Sequence, residues 1–293
     1  ERDEKQDSKH DCGGGNSSCL ARSAFTSPVM LNLIQHLSVS IEILTGQTNI
    51  DRFRVKHGMT RRFAFTLAEV LITLGIIGVV AAITIPNLMA TYQKKQTVTR
   101  LKKAYSIVQQ AVRLSQDENG EVDSWDTQLN GSQFFHKYIA NYIKYQDEYT
   151  SAELKNIAPR TLLNGQAYSG TTYTTPNSSH FTLIDGSIVT MNLNSGNEKG
   201  LWVGIDVNGL SKPNRIGRDT FLFFFSALYG LRPLGEVGTP ASWSYGSTYS
   251  RNIVGPKGGS GNACAKGKSG YWCAALIMQD GWQMASDYPW KVK

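Results

Sequence analysis

The sequence is short of the residues that catalysis usually recruits. After Met59 it holds two histidines, His136 and His180, and it has neither the GxSxG of a serine hydrolase nor the HExxH of a zinc protease. "GNACAKGKS" comes near a phosphate loop, but Gly261 stands one place too far from Gly267 for G-x4-GK[ST]. These absences exclude the familiar hydrolase, zincin and P-loop signatures and predict a chain that is not an enzyme, with both histidines in surface or turn positions. Cysteine is scarce too: there are four, and Cys12 and Cys19, spaced C-x6-C near His10, make a weak metal pattern. Long apolar runs are limited to one, so the chain is not polytopic. With 293 residues, 41% hydrophobic and 18% charged, it has room for a folded domain beside that run. A net charge of +7 favours anionic surfaces without establishing nucleic-acid binding.

Residues 1–58 read differently from the rest. They begin at Glu1, pass through "CGGGNSSC", and give an amphipathic "VMLNLIQHLSVSIEIL" with no clear caps. This stretch is expected to be a non-native or disordered extension, with the natural start at Met59; a genuine, poorly ordered extension is the alternative.

"MTRRFAFTLAEVLITLGIIGVVAAITIP", residues 59–86, poses the central problem, because Glu69 sits near the start of a run with no other ionisable group from Leu67 to Ile85. A carboxylate at bilayer depth costs about 2.5 kcal/mol or more. Phe65 to Ile85 would make about 31 Å of helix, the thickness of a hydrocarbon core. The short leader carries Arg61 and Arg62, and its small residue precedes the apolar stretch, which is not the layout of a secretory signal.

In these residues the chain resembles the type IV pilin and type II secretion pseudopilin family. The resemblance implies a leader at 59–64, a cut between Ala64 and Phe65 by a prepilin peptidase, and N-methylation of Phe65. Ala64 departs from the family's usual Gly. It implies that Glu69 is an assembly residue neutralising the Phe65 amine of a neighbouring subunit, an ion pair whose two partners offset each other's desolvation. The bland reading is a carboxylate at the headgroup interface. Also implied are a single-pass protein of the inner membrane, a globular domain outside the cytoplasm, other pilin or pseudopilin subunits and an inner-membrane assembly platform as partners, and a filament at the end.

The transmembrane segment is expected over 65–86 and an amphipathic continuation of the same helix over 87–116. Gly75, Gly78 and Pro86 weaken the first part, and Gly78 with Ala82 equally fits close helix packing. In the second part Val98, Leu101, Tyr105, Val108 and Val112 recur at spacings of three and four and form one apolar face. Lys94, Lys95, Arg100, Lys102 and Lys103 crowd the other surfaces as a solvated face, with contact to anionic lipid, a neighbouring subunit or DNA as the sharper reading. Their number runs against the positive-inside rule, and the family resemblance decides the orientation.

Residues 117–293 read as a globular α+β domain. "GSQFFHKYIANYIKY" predicts a short helix with Phe134, Phe135, Tyr138, Ile139 and Tyr142 near one side, and "HFTLIDGSIVTMNL" a hairpin with a two-residue Asp185-Gly186 turn. "LWVGIDV" and "DTFLFFFSAL" are further strands. A long helix on a small antiparallel sheet follows from these pieces, and the pilin resemblance implies the same fold.

"GIDVNGLSKPNRIGRDTF", residues 204–221, is similar to a segment recurring in secretion-type pilin-like proteins. Asp206, Asn208 and Asp219 are its candidate oxygen ligands for Ca2+; it lacks the EF-hand pattern, and such residues in turns commonly bond their own backbone. Cys264 and Cys273, outside the cytoplasm, are expected to form a disulfide, ahead of a short helix ending at Gly281 and an aromatic terminus that docks on the sheet. Trp243, Tyr245, Tyr249 and Arg251 could stack on DNA or a surface in a minor pilin, and a plain exposed loop is the competing reading. The alternative class is a single-span periplasmic enzyme or binding protein that never assembles.

Overall fold

The computed structural model describes residues 65–194, 199–240 and 250–290. The chain opens with helix α1, Leu67–Asn119, 53 residues long and so about 80 Å from end to end. Then follow a 3-10 turn, Val122–Ser124, helix α2, Gly131–Tyr138, and a second 3-10 turn, Ala140–Tyr142. Strand β1, Tyr145–Tyr149, leads to helix α3, Ser151–Ile157, and to the helical turn α4, Thr171–Thr174. The remaining strands are β2, Ser178–Leu183; β3, Ile188–Asn194; β4, Gly200–Asp206; β5, Thr220–Ser226; and β6, Gly230–Pro233. Two short helices close the chain, α5 at Arg251–Val254 and α6 at Cys273–Gln279. The α+β expectation of a long helix with an antiparallel sheet is met, and the sheet is a six-stranded meander in chain order.

The continuous helix expected over 65–116 starts two residues later, at Leu67, and runs slightly further, until Gly120 at φ +78° turns the chain away. Val98, Leu101, Ala104, Val108, Ala111, Val112 and Ser115 are its buried stripe. Ala104 and Ala111 lack bulk and bring the helix close to the sheet. Tyr105 is only half-buried; its ring packs on Phe223 at 5.5 Å and its hydroxyl donates to the Leu231 carbonyl at 2.8 Å.

Strand β5 is apolar in five successive residues, 221–225, because both faces of the sheet are covered. Phe223 meets α1 through Tyr105. Phe224, its neighbour, points the other way and packs edge-on against its cross-strand partner Trp202, with centroids 5.1 Å apart. Strands β1 and β6 were not legible as strands: "YQDEY" is polar and lies at an edge, and "GLRP" is four residues ending in Pro.

The β2–β3 hairpin is correctly placed but differently closed. Leu183 N–H donates to Ser187 O at 2.8 Å, so the loop has three residues, Ile184, Asp185 and Gly186, instead of two. Gly186 takes φ +83°, the left-handed position of a three-residue hairpin. The expected helix after Asn130 also breaks earlier than its apolar pattern: Phe134, Phe135, Tyr138 and Ile139 are buried, but the helix ends at Tyr138, and half-exposed Tyr142 instead donates to Glu118 at 2.7 Å.

His180 corrects the expectation of a surface or turn residue. It lies mid-strand in β2, fully buried, with Nε2 2.9 Å from Ser151 Oγ and Nδ1 2.8 Å from Thr190 Oγ1. Ser151 donates its hydroxyl proton to Thr175 O at 2.6 Å, so Nε2 is the donor to Ser151 and Nδ1 accepts from Thr190. Burial, helped by the Arg160 charge, pushes the imidazole down to about 3, and it is neutral at ordinary pH.

The C-terminal segment docks, but the contacts of its aromatic residues are with α1 and the β4–β5 loop and not with the strands the expectation named. Helix α6 gives way to Gly281, Trp282 packs on Tyr105 at 5.3 Å, and buried Tyr288 donates to Gly217 O at 2.6 Å. The Cys264–Cys273 disulfide is formed. Gly217, at φ +77°, could not be any other residue, since a Cβ there would lie 2.5 Å from Cys273 Sγ.

Two outcomes are expected. The Cys264→Ser/Cys273→Ser protein should lose about 2.5–3 kcal/mol of stability through loop closure, measured by urea unfolding; an unchanged midpoint would remove the bond's stabilising role. For His180 the folded pKa is depressed below 6.5, so the unfolded chain binds the extra proton and stability falls as pH drops from about 6.5 toward 3. At pH 4.5 this amounts to about 2–3 kcal/mol relative to pH 7.5. Asp206, a buried carboxyl whose pKa is raised by burial, acts with the opposite sign and is common to wild type and His180→Gln, so the difference between their pH–stability curves isolates the histidine. Parallel curves would show that His180 does not titrate on unfolding.

Candidate functional site

Two regions stand out: the bare half of α1 and the 204–221 segment. Within the described residues the apolar half of α1 touches little else. An 18-residue window of mean hydropathy 2.4 is wholly unburied, which makes α1 long and apolar enough to cross a membrane. Leu71, Ile76, Ile77, Val80 and Ile83 are exposed all round the helix, and no atom outside the helix approaches Gly75 or Gly78. Pro86 lies inside the helix and leaves the Ala82 carbonyl without its donor. Burial begins only at Val98.

Phe65 is the first described residue and is exposed; Ala64, the other half of the expected cut, lies outside the described residues, as do Arg61, Arg62 and everything before them. Glu69 has a role that the apolar pattern concealed. Its carboxylate accepts from Thr66 N–H at 2.8 Å and Thr66 O–H at 2.9 Å, while Thr66 Oγ1 accepts from Glu69 N–H at 3.2 Å. This is a capping box, and T-x-x-E before an apolar run was its readable signal. The carboxylate therefore also closes the end of its own helix.

The basic cluster is not simply a solvated face. Lys103 pairs with Asp185 at 3.0 Å, pinning the β2–β3 hairpin to α1; Arg100 donates to Val207 O at 3.4 Å; Lys102 lies over the Trp282 ring at 5.9 Å. Lys95 is exposed and Lys94 half-buried.

The second region is a loop between β4 and β5. Asp206 ends β4 and Asp219 precedes β5, so their strand pairing brings together two carboxylates thirteen residues apart. Asp206 is fully buried. Arg160, itself buried, reaches its Oδ2 at 3.1 Å and Thr220 Oγ1 donates to the same oxygen at 3.1 Å. Arg160 also lies over the Tyr173 ring at 4.2 Å. Burial pushes the Asp206 carboxyl up to about 7 although the Arg160 guanidinium pulls against it. Asp219 is raised by burial as well, opposed by the Arg215 N–H at 2.5 Å and the charge of Arg218.

Asn208 crosslinks the loop. Its Nδ2 donates to Ser211 O at 2.7 Å, Lys212 O at 3.3 Å and Asp219 Oδ2 at 3.3 Å, while its Oδ1 is buried without a partner. The Asn214 amide, with its nitrogen turned inward, donates to Ser211 O at 2.9 Å and Gly209 O at 3.3 Å. The three expected oxygen ligands are thus neighbours, but Asp206 is satisfied by Arg160 and Thr220. Among the described residues no three His, Cys, Asp or Glu side chains cluster as a metal set. The remaining oxygen-bearing groups of the loop are Asn208, Asn214, Asp219 and the carbonyls around them, bound to one another except at Asn208 Oδ1. Arg160 was missed because nothing in "IAPRTL" marks it, and only the fold brings it to Asp206.

Trp243, Tyr245 and Tyr249 of the proposed stacking stretch lie outside the described residues. Arg251 is engaged internally: it forks onto Asp280 at 2.5 and 3.0 Å and onto Asp287 at 2.9 and 2.6 Å, tying α5 to the C-terminal segment.

No curated protein and no solved structure matches the chain. A family model, described as a family of unknown function (DUF6613), matches residues 87–292. That stretch starts one residue after Pro86 and takes in the amphipathic half of α1, the whole sheet, the 204–221 segment and the disulfide. The chain belongs to this family of unknown function, DUF6613.

Proposed function

We propose that this protein is a pilin-like structural subunit, inserted in the inner membrane through α1 and polymerised, after removal of the leader by a prepilin peptidase, into a type IV pilus or type II secretion pseudopilus. One observation carries the reading. A single helix is core on its distal half and bare, apolar and unburied on its proximal half, so that half needs either lipid or other copies around it. The leader motif at 59–86 supports the second step, from lipid to filament. A single-span protein that stays in the membrane is the competing reading, and the capping box favours it to this extent: Glu69 already has partners in its own chain.

The two roles of Glu69 separate by substitution. Glu69→Gln keeps an acceptor for Thr66 N–H and hence the cap, but removes the charge that would neutralise a neighbour's Phe65 amine. Glu69→Ala removes both. With either variant as the sole copy, intact-mass analysis should still find a mature chain beginning at methylated Phe65. Intersubunit crosslinking or sheared-filament yield should fall by about a hundredfold, the effect of leaving one buried charge unpaired. Normal assembly of Glu69→Gln would reduce the carboxylate to a helix cap, and a membrane-bound chain still carrying residues 1–64 would remove the processing step.

The reading extends to the 206–219 loop as a Ca2+ site. The orphan Asn208 Oδ1 and the carbonyls of Gly209, Ser211 and Lys212, now served by two amide nitrogens, support it. Turning both amides would offer a cation their oxygens, with Asp219 supplying charge. Asp206 stays with Arg160. Ca2+ at a hundred times its Kd should stabilise the domain by about 2.7 kcal/mol, read as a rise in unfolding midpoint that EDTA reverses and Asp219→Asn abolishes. An unmoved midpoint at millimolar Ca2+ leaves the loop a purely hydrogen-bonded one.

A further inference from the structure

A groove of about 570 Å3 opens beside the 206–219 loop, walled by Leu163, Arg215, Arg218, Lys266, Tyr288 and Trp290. Arg215 and Arg218 are set on one tight turn, closed by Arg218 N–H donating to Arg215 O at 3.0 Å and by Arg215 N–H donating to Asp219 Oδ1. Among the described residues none of the three cations forms an ion pair with a carboxylate, and Arg215 Nε is buried with no hydrogen-bond partner. Arg218 lies over the Trp290 ring at 5.2 Å. The acid in the wall, Asp287, has both oxygens held by Arg251.

Three cations line one cavity and repel one another, and although Asp219 offsets part of the Arg218 charge, an anion in the groove would relieve the rest. The pattern selects its chemistry. Two guanidinium forks and an ammonium match a group with several oxygens and more than one negative charge, while Leu163, Tyr288 and Trp290 offer apolar surface to whatever that group is attached to. The volume is that of a small-molecule site. We propose that this groove binds a phosphate ester, its phosphate on Arg215, Arg218 and Lys266 and its organic part against Tyr288 and Trp290.

Such an ester has two sources. Arg218 and Trp290 also line a cavity of about 210 Å3 shared with Gln93, Gln96 and Arg100 of α1, where the helix has just left its apolar half, so a phospholipid headgroup is within the same chemistry as a soluble phosphate ester. The site does not depend on filament assembly.

The test uses the full chain in phosphatidylcholine nanodiscs with EDTA present, so that no cation bridges protein and phosphate. One arm titrates glycerol 3-phosphate by calorimetry; the other replaces a fraction of the lipid with phosphatidic acid, whose phosphate is likewise a monoester, and reads retained lipid by native mass spectrometry. Saturable binding in either arm is expected, weakened about tenfold or more in Arg218→Gln and in Lys266→Gln, with unfolding midpoints unchanged. Lys266 is exposed, so its variant remains informative should Arg218→Gln misfold. Binding confined to the lipid arm assigns a headgroup site, and binding in the soluble arm a free ester site. No saturable binding in either arm, or binding indifferent to both substitutions, overturns the proposal.

Discussion

The structure depends on one constraint: a single 53-residue helix must satisfy two different surroundings without a break. From Val98 onward its stripe is buried against the sheet, and the other residues of that half are mostly polar, with Lys103 and Arg100 tied to loops. Over Val70 to Ile85 the same helix has no stripe at all, because apolar side chains surround it. A helix that is apolar all round is stable only when something apolar surrounds it. The domain therefore orders half of α1, and the other half presents about 30 Å of apolar surface to an environment that the chain itself does not supply.

Inside the domain the second organising interaction is the buried Arg160–Asp206 pair. A buried ion pair is weak evidence for net stability, since desolvation offsets most of the attraction. Here it is also hydrogen-bonded by Thr220 and covered by Tyr173. It fixes the end of β4, and with it the start of the 206–219 loop. The same loop then carries Asn208 and Asn214 inward, Arg215 and Arg218 toward a groove, and Gly217 under the disulfide. One strand end thus sets the positions of the oxygen-rich turn, the cationic groove and the C-terminal clamp through Tyr288.

Glu69 has one role within its own helix and, under the proposed assembly, a second between subunits. Locally it caps α1 with Thr66, a contribution of about 1 kcal/mol. In an assembled bundle the same charge would face an amine in an apolar medium, where its pairing matters several times more. The local role does not preclude the larger one, because a carboxylate has two oxygens and the cap uses Oε2 alone.

Much of the fold was determined by sequence-local physics. The apolar run and its three-and-four spacing after Val98 dictate a helix with two halves; "TFLFFFS" and the Asp185-Gly186 pair dictate a strand and a hairpin; Gly281 dictates the end of α6. What failed was what neighbours decide. Whether the hairpin loop has two or three residues depends on the register of β2 against β3, and "YQDEY" becomes a strand only because β2 offers it an edge. His180 looked like a polar surface residue, yet the fold buries it because Ser151 and Thr190 satisfy both its nitrogens. Asp206, Asn208 and Asp219 are neighbours because the β4–β5 pairing brings the two ends of their segment together. Arg160, Lys266 and Trp290 come from distant parts of the chain, and their meeting with that segment is set by tertiary packing alone, because charge pairing and stacking follow distance in space and leave no period in the sequence.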